Sequence, residues 1–209
     1  MKFYLSSYKL GNEENIEKFK SMFAQTNKLT ACISNALDYS TDITRREKGK
    51  MENMKILAEI GLKPEIFDLR NFFDKKKELK EALKKYDLLW VRGGNAFVLR
   101  QAMHLSGFDE FLIESTKQNE PLIYSGYSAG VCVLGPTLKG LATADDPTQK
   151  PYGDYETIWE GLNILDYLIL PHYKSNHPES ADIDKDVEFC KSQNIPFKTL
   201  SDGEVIIIE

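Results

Sequence analysis

Several features that would assign a function at sight are missing from this 209-residue chain. It has three cysteines, Cys32, Cys132 and Cys190, and none of them sits in a CxxC spacing. That count and pattern exclude a disulfide framework and a structural zinc site, and fit a reducing compartment. No apolar run approaches the roughly 18 residues that a membrane span needs. The opening MKFYLSSYKL has neither an apolar h-region nor a small-residue cleavage site. A cytoplasmic location is therefore expected. The net charge of −5 leaves no basic footprint, so neither nucleic acid nor a membrane is expected as a partner. The run KKKELKEALKK at 75–85 interleaves Glu78 and Glu81 with its lysines at helical spacing and reads as a solvated helix face. Phosphate-cradling patterns, G-x-x-x-x-G-K and G-x-G-x-x-G, are absent as well.

What is present is an ordinary globular composition, 42% hydrophobic and 28% charged, in a length suited to one domain spanning residues 1–209. Short apolar runs at 3–5, 29–33, 65–69, 88–91 and 122–124 read as buried strands. Between them, 13–24, 45–60, 76–85 and 96–104 carry helical periodicity. Asn12 is placed to cap the first helix and Gly61 to stop the second. This alternation predicts an α/β fold in three layers, a mostly parallel sheet with helices on both faces. Residues 137–161 are rich in Gly, Pro, Asp and Thr and predict a functional loop that walls one side of a cleft. A strand at 164–170, a helix at 181–193 and strands at 197–199 and 204–208 complete the pattern.

The most informative segment is PLIYSGYSAGV at 121–131, which places Gly126-Tyr127-Ser128-Ala129-Gly130 between a strand and a helix. A serine at the apex of a strand-to-helix turn occupies a strained backbone conformation, and the flanking glycines remove side chains that would otherwise collide. Its hydroxyl projects over the carboxyl ends of the strands, where the amide of Ala129 can face a developing oxyanion. A plain tight turn with a capping serine is the competing reading.

A serine nucleophile needs a base, and the chain offers His104, His172 and His177. His172 follows the apolar run and Pro171, just past a strand end, where α/β folds gather reactive groups; it ranks ahead of His177 in its proline-flanked loop. An acid should hold the imidazole in its tautomer. Asp145, Asp146, Asp154, Glu156 and Glu160 all lie in the long polar loop, and the residues alone do not choose among them. A second glycine cluster, Arg92-Gly93-Gly94-Asn95, directly follows a strand, so Gly94 or Asn95 can supply another oxyanion donor.

Four blocks in order, LLWVRGGNAFVLR at 88–100, YSGYSAGVCVLGPT at 124–137, ADDP at 144–147 and LILPHY at 168–173, resemble the peptidase E family of serine peptidases and its cyanophycinase-like relatives. The resemblance implies a flavodoxin-like or class I glutamine-amidotransferase-like fold with no metal and no cofactor. It also implies hydrolysis of short peptides, as a dipeptidase or small exopeptidase. Residue by residue, it makes Ser128 the nucleophile, His172 the base and Asp145 the acid, with Asp146 the second choice. Oxyanion donation would come from Gly94 and Ala129, and Gly93, Asn95, Tyr127, Asp146 and Lys174 would contact a peptide substrate. The chain departs from the aspartyl dipeptidases in one respect: it has no arginine after Arg100, so strict recognition of an N-terminal aspartate is not implied. Rival readings are a non-peptidase esterase or amidase, and a silent peptide-binding module on the same fold.

Overall fold

The computed structural model describes residues 1–209. Its elements run β1 (Lys2–Ser6), α1 (Glu13–Met22), β2 (Leu29–Ile33), α2 (Ile43–Glu59), β3 (Lys63–Ile66), α3 (Lys76–Leu83), β4 (Leu88–Val91), α4 (Ala96–Ser106), α5 (Phe108–Lys117) and β5 (Ile123–Tyr127). There follow a single-turn α6 (Ala129–Cys132), β6 (Leu168–Leu170), α7 (Ser180–Ser192), β7 (Phe197–Thr199) and β8 (Val205–Ile208).

Six strands form the central sheet in the order β3-β2-β4-β5-β1-β8. All neighbours are parallel except β8, which pairs antiparallel with β1, Ser6 opposite Val205. Strands buried on both faces need apolar residues, and β4 (LLWV) and Phe3–Leu5 of β1 supply them. Helices cover both faces, so apolar residues pack in two clusters, one on each side of the sheet. The three-layer α/β architecture expected from the strand–helix alternation is the observed one.

Local signals explain most element ends. The Asn12 side chain accepts from the Asn15 amide at 2.9 Å and caps α1. After α2, Gly61 takes a positive φ of 93°. Other boundaries moved for tertiary reasons. The edge strand β3 lies at 63–66, two residues earlier than the run at 65–69, because pairing with β2 fixes it, Leu29 opposite Lys63. Strand β5 runs on to Tyr127 because Ser125 and Gly126 pair on both sides within the sheet. Only Leu168–Leu170 of the run at 164–170 is strand, and it pairs with β7 in a separate two-stranded sheet. Helix α5 lies where the sequence pattern gave none: Gly107, at φ 78°, ends α4 and starts α5 with no intervening loop.

Strand β1 is hydrogen-bonded on both sides and carries a fully buried Leu5. Leu5→Ala is expected to destabilise the protein by about 3 kcal/mol, read from urea unfolding. A cost under about 1 kcal/mol would show that the strand is less tightly enclosed than described.

Candidate active site

The parallel strands β4, β5 and β1 all end on the same edge of the sheet, and the site is built there. At the end of β5 the chain turns into α6 through Ser128, whose backbone stands at φ 50° and ψ −124°. A non-glycine residue in such a conformation stores on the order of 1–3 kcal/mol of strain. Its neighbours explain how the strain is held. A Cβ on Gly126 would fall 2.3 Å from the carbonyl oxygen of Val91 in β4, and one on Gly130 would fall 2.1 Å from the same oxygen. The flanking glycines are thus needed against the neighbouring strand rather than against each other. The strained serine is the expected strand-to-helix turn, set by β4.

Beyond Val91 the chain continues into the glycine cluster. A Cβ on Gly93 would lie 2.7 Å from the Ser128 Cβ and 3.1 Å from its Oγ, so this backbone runs directly beside the hydroxyl. Gly94 has φ 147° and packs on the Ala36 carbonyl. Asn95 is committed elsewhere: its amide donates to Ala36 O at 2.8 Å, and its side chain accepts from Val98 N at 3.0 Å as the cap of α4. Of the two glycine-cluster amides proposed by the sequence, this leaves Gly94. On the other side of the serine, Ala129 opens α6, where the first N–H groups of a helix lack an intrahelical partner.

His172 follows β6 and is almost fully buried, at 1% exposure. Its backbone takes φ 61°, and its amide donates to Ser7 Oγ at 2.9 Å. Its Nδ1 lies 2.7 Å from Asp202 Oδ1. Asp202 is positioned in turn by Ser7 Oγ, which donates to the same oxygen at 3.0 Å, and by its own amide on Ser175 Oγ at 2.7 Å. Burial pushes the imidazole below its ordinary value of 6.5, and His177 acts in the same direction; the Asp202 hydrogen bond opposes both. The ring is therefore neutral at pH 7, with Asp202 fixing the proton on Nδ1 and leaving Nε2 a free lone pair.

Ser128, His172, Gly93, Gly94 and Tyr127 line one cleft of about 220 Å³. His177 joins them, its ring parallel to His172 at 3.7 Å between centroids, and Tyr8 packs edge-on against both. Glu179 Oε2 stands 3.9 Å from His172 Nε2 and 4.0 Å from His177 Nδ1. Donor atoms of His172, His177 and Glu179 lie within 4.8 Å of one another, close enough for a divalent cation. Stacked parallel rings, however, direct their lone pairs along two separate planes, so this arrangement does not converge on one metal position.

The acid expected from the sequence is corrected by this geometry. Asp145 does not hold His172; its Oδ2 accepts from the Ala96 amide at 2.8 Å, at the start of α4. The adjacent Asp146 accepts from Thr148 and Gln149, while its carbonyl receives Asn95 Nδ2 at 2.9 Å. The loop at 137–161 contributes nothing to the cleft lining. It backs the glycine cluster instead, with Tyr152 hydrogen-bonded to Asp38 at 2.7 Å further along the same face. Lys174 is exposed, with Nζ over the Tyr173 ring, so neither it, Asp146 nor Asn95 lines the cleft. His104 sits on the surface near Asp109, at 3.4 Å. Sequence reasoning missed Asp202, Tyr8, Arg45, Arg92 and Glu179. Ser201-Asp202-Gly203 reads only as a turn before a strand.

The sequence pattern of peptidase family S51 matches residues 6–209. An uncharacterized peptidase of Listeria monocytogenes is 33% identical over 156 residues, covering 74% of this chain and 71% of that protein. Peptidase E of Streptomyces coelicolor is 29% identical over 132 residues, 61% of this chain and 51% of its own length. Among solved structures, a Listeria monocytogenes protein described as a peptidase E superposes with a TM-score of 0.76 at 24% identity, over 99% of this chain and 93% of that one. A peptidase from an acI-B1 actinobacterium gives 0.62 at 14% identity, over 100% and 83%. At those identities the two structures establish the shared fold. No helix of this chain is long and apolar enough to cross a membrane.

Asp145 gives the site a pH-dependent stability. Burial pushes its carboxyl up to about 8, against the lowering effect of the Ala96 amide. Between about pH 4 and 8 the folded chain therefore holds a proton that the unfolded chain releases, so stability falls as pH rises. Thermal midpoints are expected to drop by about 3 °C per pH unit over this window. Asp145→Asn keeps the acceptor for Ala96 and should flatten that slope. An unchanged slope in the variant would mean that the carboxyl is already ionised in the folded protein.

Proposed function

The chain belongs to peptidase family S51 and is a peptidase, a hydrolase of peptide bonds, and we propose that it cleaves short peptides by a serine mechanism. In this reading Ser128 is the nucleophile, His172 the general base and Asp202 the acid that orients it. One observation carries the reading: a buried, neutral His172 with its Nδ1 tied to Asp202 at 2.7 Å shares a cleft with a serine held in a strained turn. The chain order becomes serine, histidine, acid.

The chemistry follows from these positions. His172 Nε2 takes the Ser128 proton as Oγ bonds to the peptide carbonyl carbon, and the imidazolium that forms is stabilised by Asp202. The carbonyl oxygen becomes an oxyanion, held by the amides of Ala129 and Gly94. His172 then gives its proton to the departing amine as the C–N bond breaks. Water then attacks the acyl-serine as His172 accepts its proton. The acyl C–Oγ bond breaks as His172 returns that proton to Ser128 Oγ, releasing the acid product and restoring the serine. Substrate size is set by the cleft: at about 220 Å³ it accommodates a few residues rather than a folded chain.

The test is hydrolysis of a pooled dipeptide and tripeptide library, followed by mass spectrometry. Ser128→Ala is expected to lower kcat/KM by about 10⁴-fold or more, and Asp202→Asn by about 10³–10⁴-fold. Cleavage that persists in Ser128→Ala would remove the serine mechanism. For the wild-type protein, kcat/KM should rise with pH as His172 loses its proton. Its midpoint should lie below the ordinary 6.5, because burial lowers the imidazole. A midpoint well above that value would assign the titration to another group.

A further inference from the structure

The hydrogen bond to Asp202 constrains His172 at one atom only. Its Nδ1 lies 2.7 Å from Asp202 Oδ1, and that bond sets a single distance. A histidine side chain turns about two torsions, so a coupled rotation can keep Nδ1 near the carboxylate while the ring tilts and Nε2 sweeps through the cleft. No polar partner steadies that end of the ring. Nε2 makes no hydrogen bond within the protein, and Glu179 Oε2 stands 3.9 Å away, too far for one.

The remaining constraint lies on the face of the ring. His177 is stacked flat on it, with 8° between the planes and 3.7 Å between centroids. Tyr8 packs edge-on against both rings, at 5.9 Å from His172 and 5.6 Å from His177. Aromatic pairs left to themselves favour offset or edge-to-face contacts over so close a face-to-face stack. His177 is therefore kept there by its own bonds. Its Nδ1 accepts the Glu179 amide at 3.3 Å, and its carbonyl accepts the Ser180 amide at 3.1 Å. Pro178, between them, fixes its own φ and stiffens the clasp. The loop is closed by Ser175, whose amide donates to Ser180 Oγ at 3.2 Å and whose hydroxyl receives the Asp202 amide at 2.7 Å. The acid and the stacked ring are thus tied to one loop and to the start of α7.

We propose that His177 is a positioning residue: its ring, lying flat on His172, holds the imidazole at the tilt from which Nε2 takes the Ser128 proton. The inference rests on the serine mechanism above and adds the residue that sets the attitude of its base. A planar wall on one face removes the tilt that the Asp202 bond leaves open, and the edge of Tyr8 limits sliding of one ring over the other. In this role His177 neither gives nor takes a proton. Misplacing a reacting group by about 1 Å costs on the order of 10²-fold in rate, so loss of the wall acts on kcat rather than on KM.

Two substitutions separate the ring from the loop bond. His177→Phe keeps a flat ring and loses the acceptor for the Glu179 amide. His177→Asn keeps a side-chain acceptor close to the Nδ1 position and loses the ring. Kinetics are read on the short peptide that the wild-type protein cleaves fastest, and the His172 Nδ1–H resonance is read by proton NMR in the same proteins. His177→Asn should lower kcat by about 10- to 100-fold with KM within about 2-fold, and should broaden the resonance as the ring swings from Asp202. His177→Phe should restore most of kcat and a sharp resonance. The reverse pattern, with Asn close to wild type and Phe impaired, would assign His177 to holding the loop and overturn the proposal. So would equal loss in both variants, a change confined to KM, or no change in either. The serine reading fails on a different result, cleavage that persists in Ser128→Ala or a wild-type protein that cleaves nothing. The resonance in the two variants then decides by itself whether His177 clamps the ring.

Discussion

The carbonyl oxygen of Val91, at the end of β4, is the point against which the site is assembled. Two glycines of the next strand's turn, Gly126 and Gly130, close on that oxygen so tightly that neither tolerates a Cβ. The backbone between them has to bulge outward, and the residue at the top of the bulge is Ser128 at φ 50°. The same strand end then sends Gly93 past the serine hydroxyl and Arg92 across to α2. A hydroxyl, the glycine backbone beside it and a cation are thus positioned by one packing contact between neighbouring parallel strands. Strain in Ser128 is held by the packing of its flanking glycines against β4.

The second half of the site depends on a longer-range constraint. Ser7 continues β1 off the same sheet edge and is completely buried, with its hydroxyl touching the His172 amide, Asp202 and Leu200 O. Asp202 lies in the turn that leads into β8, and β8 is held by antiparallel pairing with β1. The last strand therefore brings the acid to the imidazole, while β6 and β7 deliver the histidine from a separate small sheet. Burial keeps that imidazole neutral, and the Asp202 hydrogen bond fixes which nitrogen is free. In the proposed reaction these two effects together fit Nε2 to take the Ser128 proton.

How much of this is legible in the sequence depends on how local the cause is. Ser128 can be read because its strain needs glycines at fixed short offsets, and His172 because it follows an apolar strand. Asp202 cannot be read in that way. Its only relation to His172 is spatial, created by pairing between β8 and β1 at opposite ends of the chain, and its local context is that of any turn. The loop acid Asp145 offered the better motif but serves to hold the start of α4, where Ala96 donates to it. Among the elements, α5 was hidden because Gly107 ends one helix and begins the next, and glycine reads locally as a break. Edge strand β3 shifted because its residues are mostly exposed, so pairing rather than hydrophobicity sets its limits.

The central claim is that Asp202, and no other acid, holds the imidazole whose free nitrogen serves Ser128. Proton NMR reads that bond directly, because an Nδ1–H shared with a carboxylate at 2.7 Å resonates far downfield of other protein signals. Spectra of the wild-type protein, Asp202→Asn and Asp145→Asn should show the resonance in the first and third and lose it in the second. A signal that survives Asp202→Asn and vanishes in Asp145→Asn would contradict the claim and return the role to the loop acid.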